Sequence, residues 1–142
     1  PELNDDLAQD ALMCPKCRDR MKIISCGGAY QNLGIYYANT GNLDKAKIEF
    51  KKAIDLNPYN KEGYFNLGNC YLTGKKYQES LLLYKKALRI YPDYAKAHNN
   101  IAVCYFFLKD YKSSVFHMNQ AIKLGFNVNE QFFNALWPYQ NK

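Results

Sequence analysis

The sequence predicts an all-α fold, a right-handed α-solenoid of three helical hairpins with a capping helix at the C-terminal end. Three observations predict it. The 142-residue chain superposes on itself at a shift of 34 residues. Each unit so defined holds two stretches in which apolar residues recur with the 3.6-residue helical period. Turn-forming residues separate the two stretches, and proline closes the second in the first two units.

The elements follow in chain order. Tyr30 recurs as Tyr64 and His98, Leu33 as Leu67 and Ile101, Gly34 as Gly68 and Ala102, and Tyr37 as Tyr71 and Tyr105. Later in the unit Ala46 recurs as Ser80 and Ser114, Phe50 as Tyr84 and Met118, and Ala53 as Ala87 and Ala121. In the first unit the periodicity places helices over about 28–40 and 44–56. Between them lies Asn39-Thr40-Gly41-Asn42, where Gly41 can take positive φ and Asn42 can cap the next helix. Asn57-Pro58 ends the second helix, because a residue before proline disfavours the α region; Pro92 repeats the device. Small residues at Gly34, Gly68 and Ala102 let helices approach, and Phe50, Tyr84 and Met118 fill the space beyond. One hairpin cannot bury its apolar face alone, so neighbours stack and share a core.

The units run over 27–60, 61–94 and 95–128. The third departs from the pattern: His98 replaces the aromatic, Ala102 the glycine, and Gly125-Phe126 the closing proline, as expected where a solenoid stops. Residues 129–142 are read as a cap, a short helix over 129–137 ended by Pro138. Phe132, Phe133, Leu136 and Trp137 would cover the exposed last hairpin.

Composition bounds the rest. Hydrophobic residues at 48% and charged residues at 23% exclude a disordered chain. Aromatics reach 15%, which the tyrosines at fixed repeat places explain. A net charge of +6 reads as a solvated lysine-rich surface. The pairs Lys51-Lys52 and Lys85-Lys86 fall on second helices, so no nucleic-acid partner is expected. No apolar run approaches the roughly 18 residues of a membrane helix, so no direct membrane insertion is expected.

The motif Tyr64-Phe65-Asn66-Leu67-Gly68-Asn69-Cys70-Tyr71, followed by the spacing Ala46-x3-Phe50-x2-Ala53-x4-Pro58 seen in the first unit, resembles the tetratricopeptide repeat (TPR), with Tyr in place of Trp. The resemblance spans Gly27 to Val128. It implies three TPR hairpins whose first helices line a concave groove that binds a peptide segment of a partner protein. The positions it assigns to the groove are Asn32, Ile35, Phe65, Asn66, Asn69, Leu72, Lys96, Asn100, Val103 and Phe106, with Phe107 beside them. Asn32, Asn66 and Asn100 recur at the repeat period, and a column of amides can pair with the N–H and C=O of an extended chain. The alternative is that they make local hydrogen bonds. Ile35, Phe65, Leu72, Val103, Phe106 and Phe107 give the face an apolar character, unless Phe106 or Phe107 packs on the cap helix instead. The carboxylate clamp of chaperone-tail TPR modules corresponds to Gln31, Ile35, Asn66, Lys96 and Asn100. Only Asn66 and Lys96 match, so that mode is rejected.

The five cysteines divide into two groups. Cys70 and Cys104 hold the same repeat place and read as small buried hydrophobes, not a disulfide pair. Cys14-Pro-Lys-Cys17 and Cys26 form half of a zinc-knuckle pattern without its second half. Three readings stay open for them: no special role, metal or disulfide pairing, and the edge of a further domain. Residues 1–26 are an N-terminal extension, with a short helix over 4–13 that lies outside the repeat register. His98 reads as a packing residue and His117 as lying on a different helix, without a third ligand or an acid–base partner.

No Ser-His-Asp set, phosphate loop or paired carboxylates emerges, so the expectation is a non-enzyme without cofactors. The leading function is an adaptor or scaffold. The alternatives are a homo-oligomer that stacks end to end into rings or filaments, and a regulatory appendage of a larger enzyme or membrane protein, as in bacterial chains that resemble this one. A cytoplasmic location is favoured. The start at Pro1 leaves export to the periplasm open, because the chain is then a processed product or a piece of a longer one.

Overall fold

The computed structural model describes residues 23–142, and side chains from residue 27 onward. The expectations for Cys14, Cys17 and Cys26, and for a helix over 4–13, lie outside these. The described residues form seven α-helices and one 3-10 turn, with no strand among them. The helices are α1 (Ile23–Asn39), α2 (Leu43–Leu56), α3 (Lys61–Thr73), α4 (Tyr77–Ile90), α5 (Ala95–Phe107), α6 (Tyr111–Lys123) and α7 (Glu130–Leu136), with the 3-10 turn at Trp137–Tyr139. The chain divides into two compact units, one up to Leu67 and one over Gly68–Lys142, the division falling inside α3.

One turn geometry closes all three first helices. Gly41, Lys75 and Lys109, spaced by the repeat, take positive φ of 83°, 58° and 63°. In each, that residue's N–H donates to the carbonyl three back and the next N–H to the carbonyl five back. The pairs are Gly41–Ala38 and Asn42–Tyr37, Lys75–Leu72 and Lys76–Tyr71, Lys109–Phe106 and Asp110–Tyr105. This is a Schellman closure, which satisfies the orphan carbonyls of a helix end. The next residue then caps the following helix where it can. Asn42 accepts from the Lys45 N–H, and Asp110 accepts from the Ser113 N–H and hydroxyl, whereas Lys76 at the same place makes no such bond. The Ser113 hydrogen bonds hold the Asp110 carboxyl below its ordinary value.

The second helices end in two ways. α2 and α4 stop at Asn57 and Tyr91, both in extended backbone before Pro58 and Pro92. α6 has no proline to stop it and uses the turn geometry of the first helices: Gly125 sits at φ 87°, with Gly125 N–H to Ile122 and Phe126 N–H to Ala121. Gly125-Phe126 thus replaces the proline with an equivalent stop.

The core repeats as a pair of facing positions. In the first unit a Cβ on Gly34 would lie 2.6 Å from the Phe50 ring; in the second, a Cβ on Gly68 would lie 2.7 Å from the Tyr84 ring. A planar ring against the helix backbone therefore demands glycine. In the third hairpin Met118, flexible and unbranched, faces Ala102 within one buried cluster. A buried hydroxyl adds a cross-link there: Ser80 donates to the Gly68 carbonyl at 2.8 Å and Ser114 to the Ala102 carbonyl at 2.7 Å. Cys70 and Cys104 are buried and carry no disulfide; burial pushes the Cys104 thiol up.

The last helix covers the third hairpin. Leu136 is fully buried with Ala102, Val115 and Met118, and Phe132, Phe133 and Tyr139 pack around them. Tyr139 stacks on Tyr111 at 4.1 Å between centroids. Two expectations shift here. Trp137 does not join the cover and stays 57% exposed, and Pro138 lies inside the 3-10 turn that follows α7.

Candidate functional site

The first helices carry little charge. α1 has no charged residue, α3 has Lys61 and Glu62, which pair with each other, and α5 has only Lys96. The second helices are richer in charge, with Lys45, Lys47, Lys51 and Lys52 on α2 and Lys85, Lys86 and Arg89 on α4. The first helices therefore present mainly amides, aromatics and aliphatics.

In the first unit, Asn32 is exposed and Ile35 is 38% exposed on α1, while Phe65 and Asn66 are half-buried on α3. The side chains of Asn32 and Asn66 have no hydrogen-bond partner among the described residues. Gln31 is used internally: its Oε1 accepts from the Asn60 Nδ2 at 2.7 Å, and the Asn60 Oδ1 accepts from the Gly63 N–H at 2.9 Å. That chain of bonds ties α1 to the start of α3.

In the second unit, Asn69, Leu72, Asn100, Val103 and Phe106 are half-buried and Lys96 is exposed. Asn69, Tyr84 and Asn100 form a closed triangle. The Tyr84 hydroxyl donates to Asn69 Oδ1 at 2.6 Å, and Asn100 Nδ2 donates both to Asn69 Oδ1 at 2.9 Å and to the Tyr84 oxygen at 3.2 Å. The Asn100 Oδ1 accepts from Asn99 at 3.2 Å. Asn100 is thereby engaged at both its amide nitrogen and its oxygen, so it braces α3, α4 and α5, whereas Asn32 and Asn66 make no such bonds among the described residues. Burial pushes the Tyr84 phenol above its ordinary range, which keeps the hydroxyl a donor. No residue pattern flags this triangle, because it depends on a hydroxyl at only one of the three Phe50/Tyr84/Met118 places.

Phe106 lies against the cap, edge-on to Phe132 at 5.6 Å and to Tyr111 at 5.7 Å. Phe107 stacks flat on Tyr77 at 4.8 Å and remains 53% exposed. The packing alternative thus holds for Phe106, and Phe107 keeps an open face.

Sequence reasoning also missed the proximity of His98 and His117, whose Nδ1 atoms lie 3.0 Å apart. The available signal was that Tyr30 and Glu49, Tyr64 and Leu83, and His98 and His117 hold the same two repeat places. Among the described residues no cluster of three or more metal-ligating side chains occurs, and no helix is long and apolar enough to cross a membrane.

A search of curated proteins by sequence gives no match. Among solved structures, the TPR domain of Arabidopsis OM64 is similar at 20% identity with a TM-score of 0.77, covering 82% of this chain and 98% of that one. The first TPR of Spaghetti (RPAP3), bound to the HSP90 peptide SRMEEVD, is similar at 22% identity with a TM-score of 0.72, covering 84% and 91%. The structure of MamA is similar at 22% identity with a TM-score of 0.67, covering 69% of this chain, which spans only 57% of MamA. These likenesses establish a shared fold. Two family profiles, each described as tetratricopeptide repeat, match residues 32–95 and 83–116, and with more than half of its residues covered by the two together the chain belongs to the tetratricopeptide-repeat family.

Proposed function

We propose that the protein is a protein–protein interaction module, and that its first-helix faces hold an extended, uncharged, apolar-rich segment of a partner. The observation that carries this reading is the composition of those faces. They expose Ile35 and Phe107, leave the amides of Asn32 and Asn66 unpaired among the described residues, and carry a single unpaired cation, Lys96. An unpaired amide can exchange both a donor and an acceptor with peptide backbone, and half-exposed aliphatics beside it can take up alternate side chains. The RPAP3 structure holds a peptide with two glutamates and a terminal aspartate. An acidic end of that kind would find on these helices only Lys96 and the Glu62-paired Lys61, so the segment proposed here is uncharged. Family membership supports a protein ligand, while the peptide chemistry rests on these side chains.

The test is selection of peptides from a random display library on the protein, followed by affinity measurement on variants. The selected peptides should be poor in Asp and Glu. Asn66→Ala or Val103→Asp should each weaken binding by about tenfold or more, equivalent to about 1.4 kcal/mol. Leu82→Ser, on a second helix, should leave affinity unchanged. Selection of peptides that require a C-terminal carboxylate, or affinities indifferent to both first-helix changes, would overturn the proposal.

A further inference from the structure

His98 on α5 and His117 on α6 meet through their Nδ1 atoms at 3.0 Å. Their ring centroids are 5.2 Å apart and their planes 29° apart. The two distances differ by about two ring radii, so both nitrogens lie nearly on the line joining the rings. Each Nδ1 lone pair therefore points at the other, end to end. Metal ligands converge on a point about 2 Å from each; lone pairs that meet head-on suit a single shared proton instead. The other nitrogen of His98 fixes the arrangement, because its Nε2 lies 2.9 Å from the Pro92 carbonyl and must carry a proton to donate to it. The His98 Nδ1 is then the acceptor, and the His117 Nδ1–H the donor.

We propose that His98 and His117 are a one-proton latch between α5 and α6, and that acid opens the third hairpin by forcing a second proton into the gap between them. The first proton taken up by the pair leaves one proton in the gap and the in-line bond intact, whichever ring carries the charge. The next has only the gap, and two N–H groups cannot face each other across 3.0 Å. Titration of such a pair belongs to both rings together.

The surroundings act in the same sense. Lys85 on α4 lies 5.4 Å over the Tyr105 ring, and Tyr105 on α5 stacks on His117 at 5.8 Å. Phe116, beside His117 on α6, presents its edge at 5.2 Å and carries no charge. Burial first, then the charges of His98 and Lys85, hold His117 down to about 4, below its ordinary 6.5. A depressed histidine means that the unfolded chain binds the proton more readily. The latch's contribution is therefore complete above about pH 6.5 and is lost as the pH falls towards 4. None of this depends on what the first-helix faces bind.

The control is written in the sequence. Tyr64 and Leu83 hold the corresponding places in the preceding hairpin, so a H98Y/H117L variant installs a pair that takes up no proton over the acid range. Urea unfolding of the full chain should be followed from pH 7 to pH 4.5. The folding constant of the unmodified protein should fall roughly tenfold or more beyond that of the variant. Parallel curves would overturn the latch. Nitrogen-resolved NMR of the unmodified protein provides a second reading that does not require the variant to fold. At pH 7 it should show His98 protonated on Nε2 and His117 on Nδ1. Two rings that exchange tautomers and titrate independently would overturn the proposal as well.

Discussion

Tyr84→Ala is expected to remove about 3–5 kcal/mol of stability, the range for deleting a fully buried large ring. Three losses combine. Tyr84 has no exposed surface, and its ring fills the space that Gly68 leaves open. Its hydroxyl closes the triangle with Asn69 and Asn100, so truncation strands a half-buried amide system as well as opening a cavity. Tyr84→Phe separates the two effects: the ring stays, the triangle opens, and the cost should be about 1 kcal/mol. Urea midpoints of the three proteins measure both numbers. A Tyr84→Ala protein as stable as Tyr84→Phe would mean that the ring is not the keystone of this hairpin.

Leu136→Ala is expected to cost about 2–5 kcal/mol, although it lies in a helix of only seven residues. A helix that short has little stability of its own. It exists because Leu136 is buried among Ala102, Val115 and Met118, with Phe132 and Phe133 beside it. Losing the anchor should release the cover from the last hairpin, as happens to a repeat array without its cap. The readout is twofold: a lower thermal midpoint, and fluorescence of Trp137, the only tryptophan in the chain, that loses its contact with Phe133. Trp137→Phe, exposed at the outset, should cost under about 0.5 kcal/mol. Equal costs for the two changes would show that α7 is held by something other than Leu136.

Where the sequence was legible, it was legible for a local reason. The 34-residue recurrence places Gly34 with Phe50 and Gly68 with Tyr84, and those contacts are the ones found. Asn42 caps and Pro58 stops because capping and pre-proline sterics act within a few residues. The positive φ at Gly41 could be foreseen; the same φ at Lys75 and Lys109 could not, since lysine is a poor residue for it and only the surrounding hairpin imposes it. Side-chain pairing was the other blind spot. Recurrence of Asn32, Asn66 and Asn100 suggested one shared role, but Asn100 alone has a tyrosine hydroxyl and Asn69 within reach. Equal position in a repeat fixes where a Cβ lies. It does not fix which partner atom the neighbouring residue happens to provide, and the amide column and the histidine pair both turn on that atom.

The repeat equivalence itself is best tested by a double-mutant cycle at Gly34 and Phe50, copying Ala102 and Met118 of the third hairpin into the first. Gly34→Ala alone drives a Cβ into the Phe50 ring and should destabilise by about 1–3 kcal/mol, despite alanine's better helix propensity. With Phe50→Met in place, the flexible side chain should yield to the new methyl, and the two changes together should cost at least about 1 kcal/mol less than their sum. Costs that simply add, within about 0.5 kcal/mol, would contradict the claim that residues one repeat apart occupy the same place in the packing.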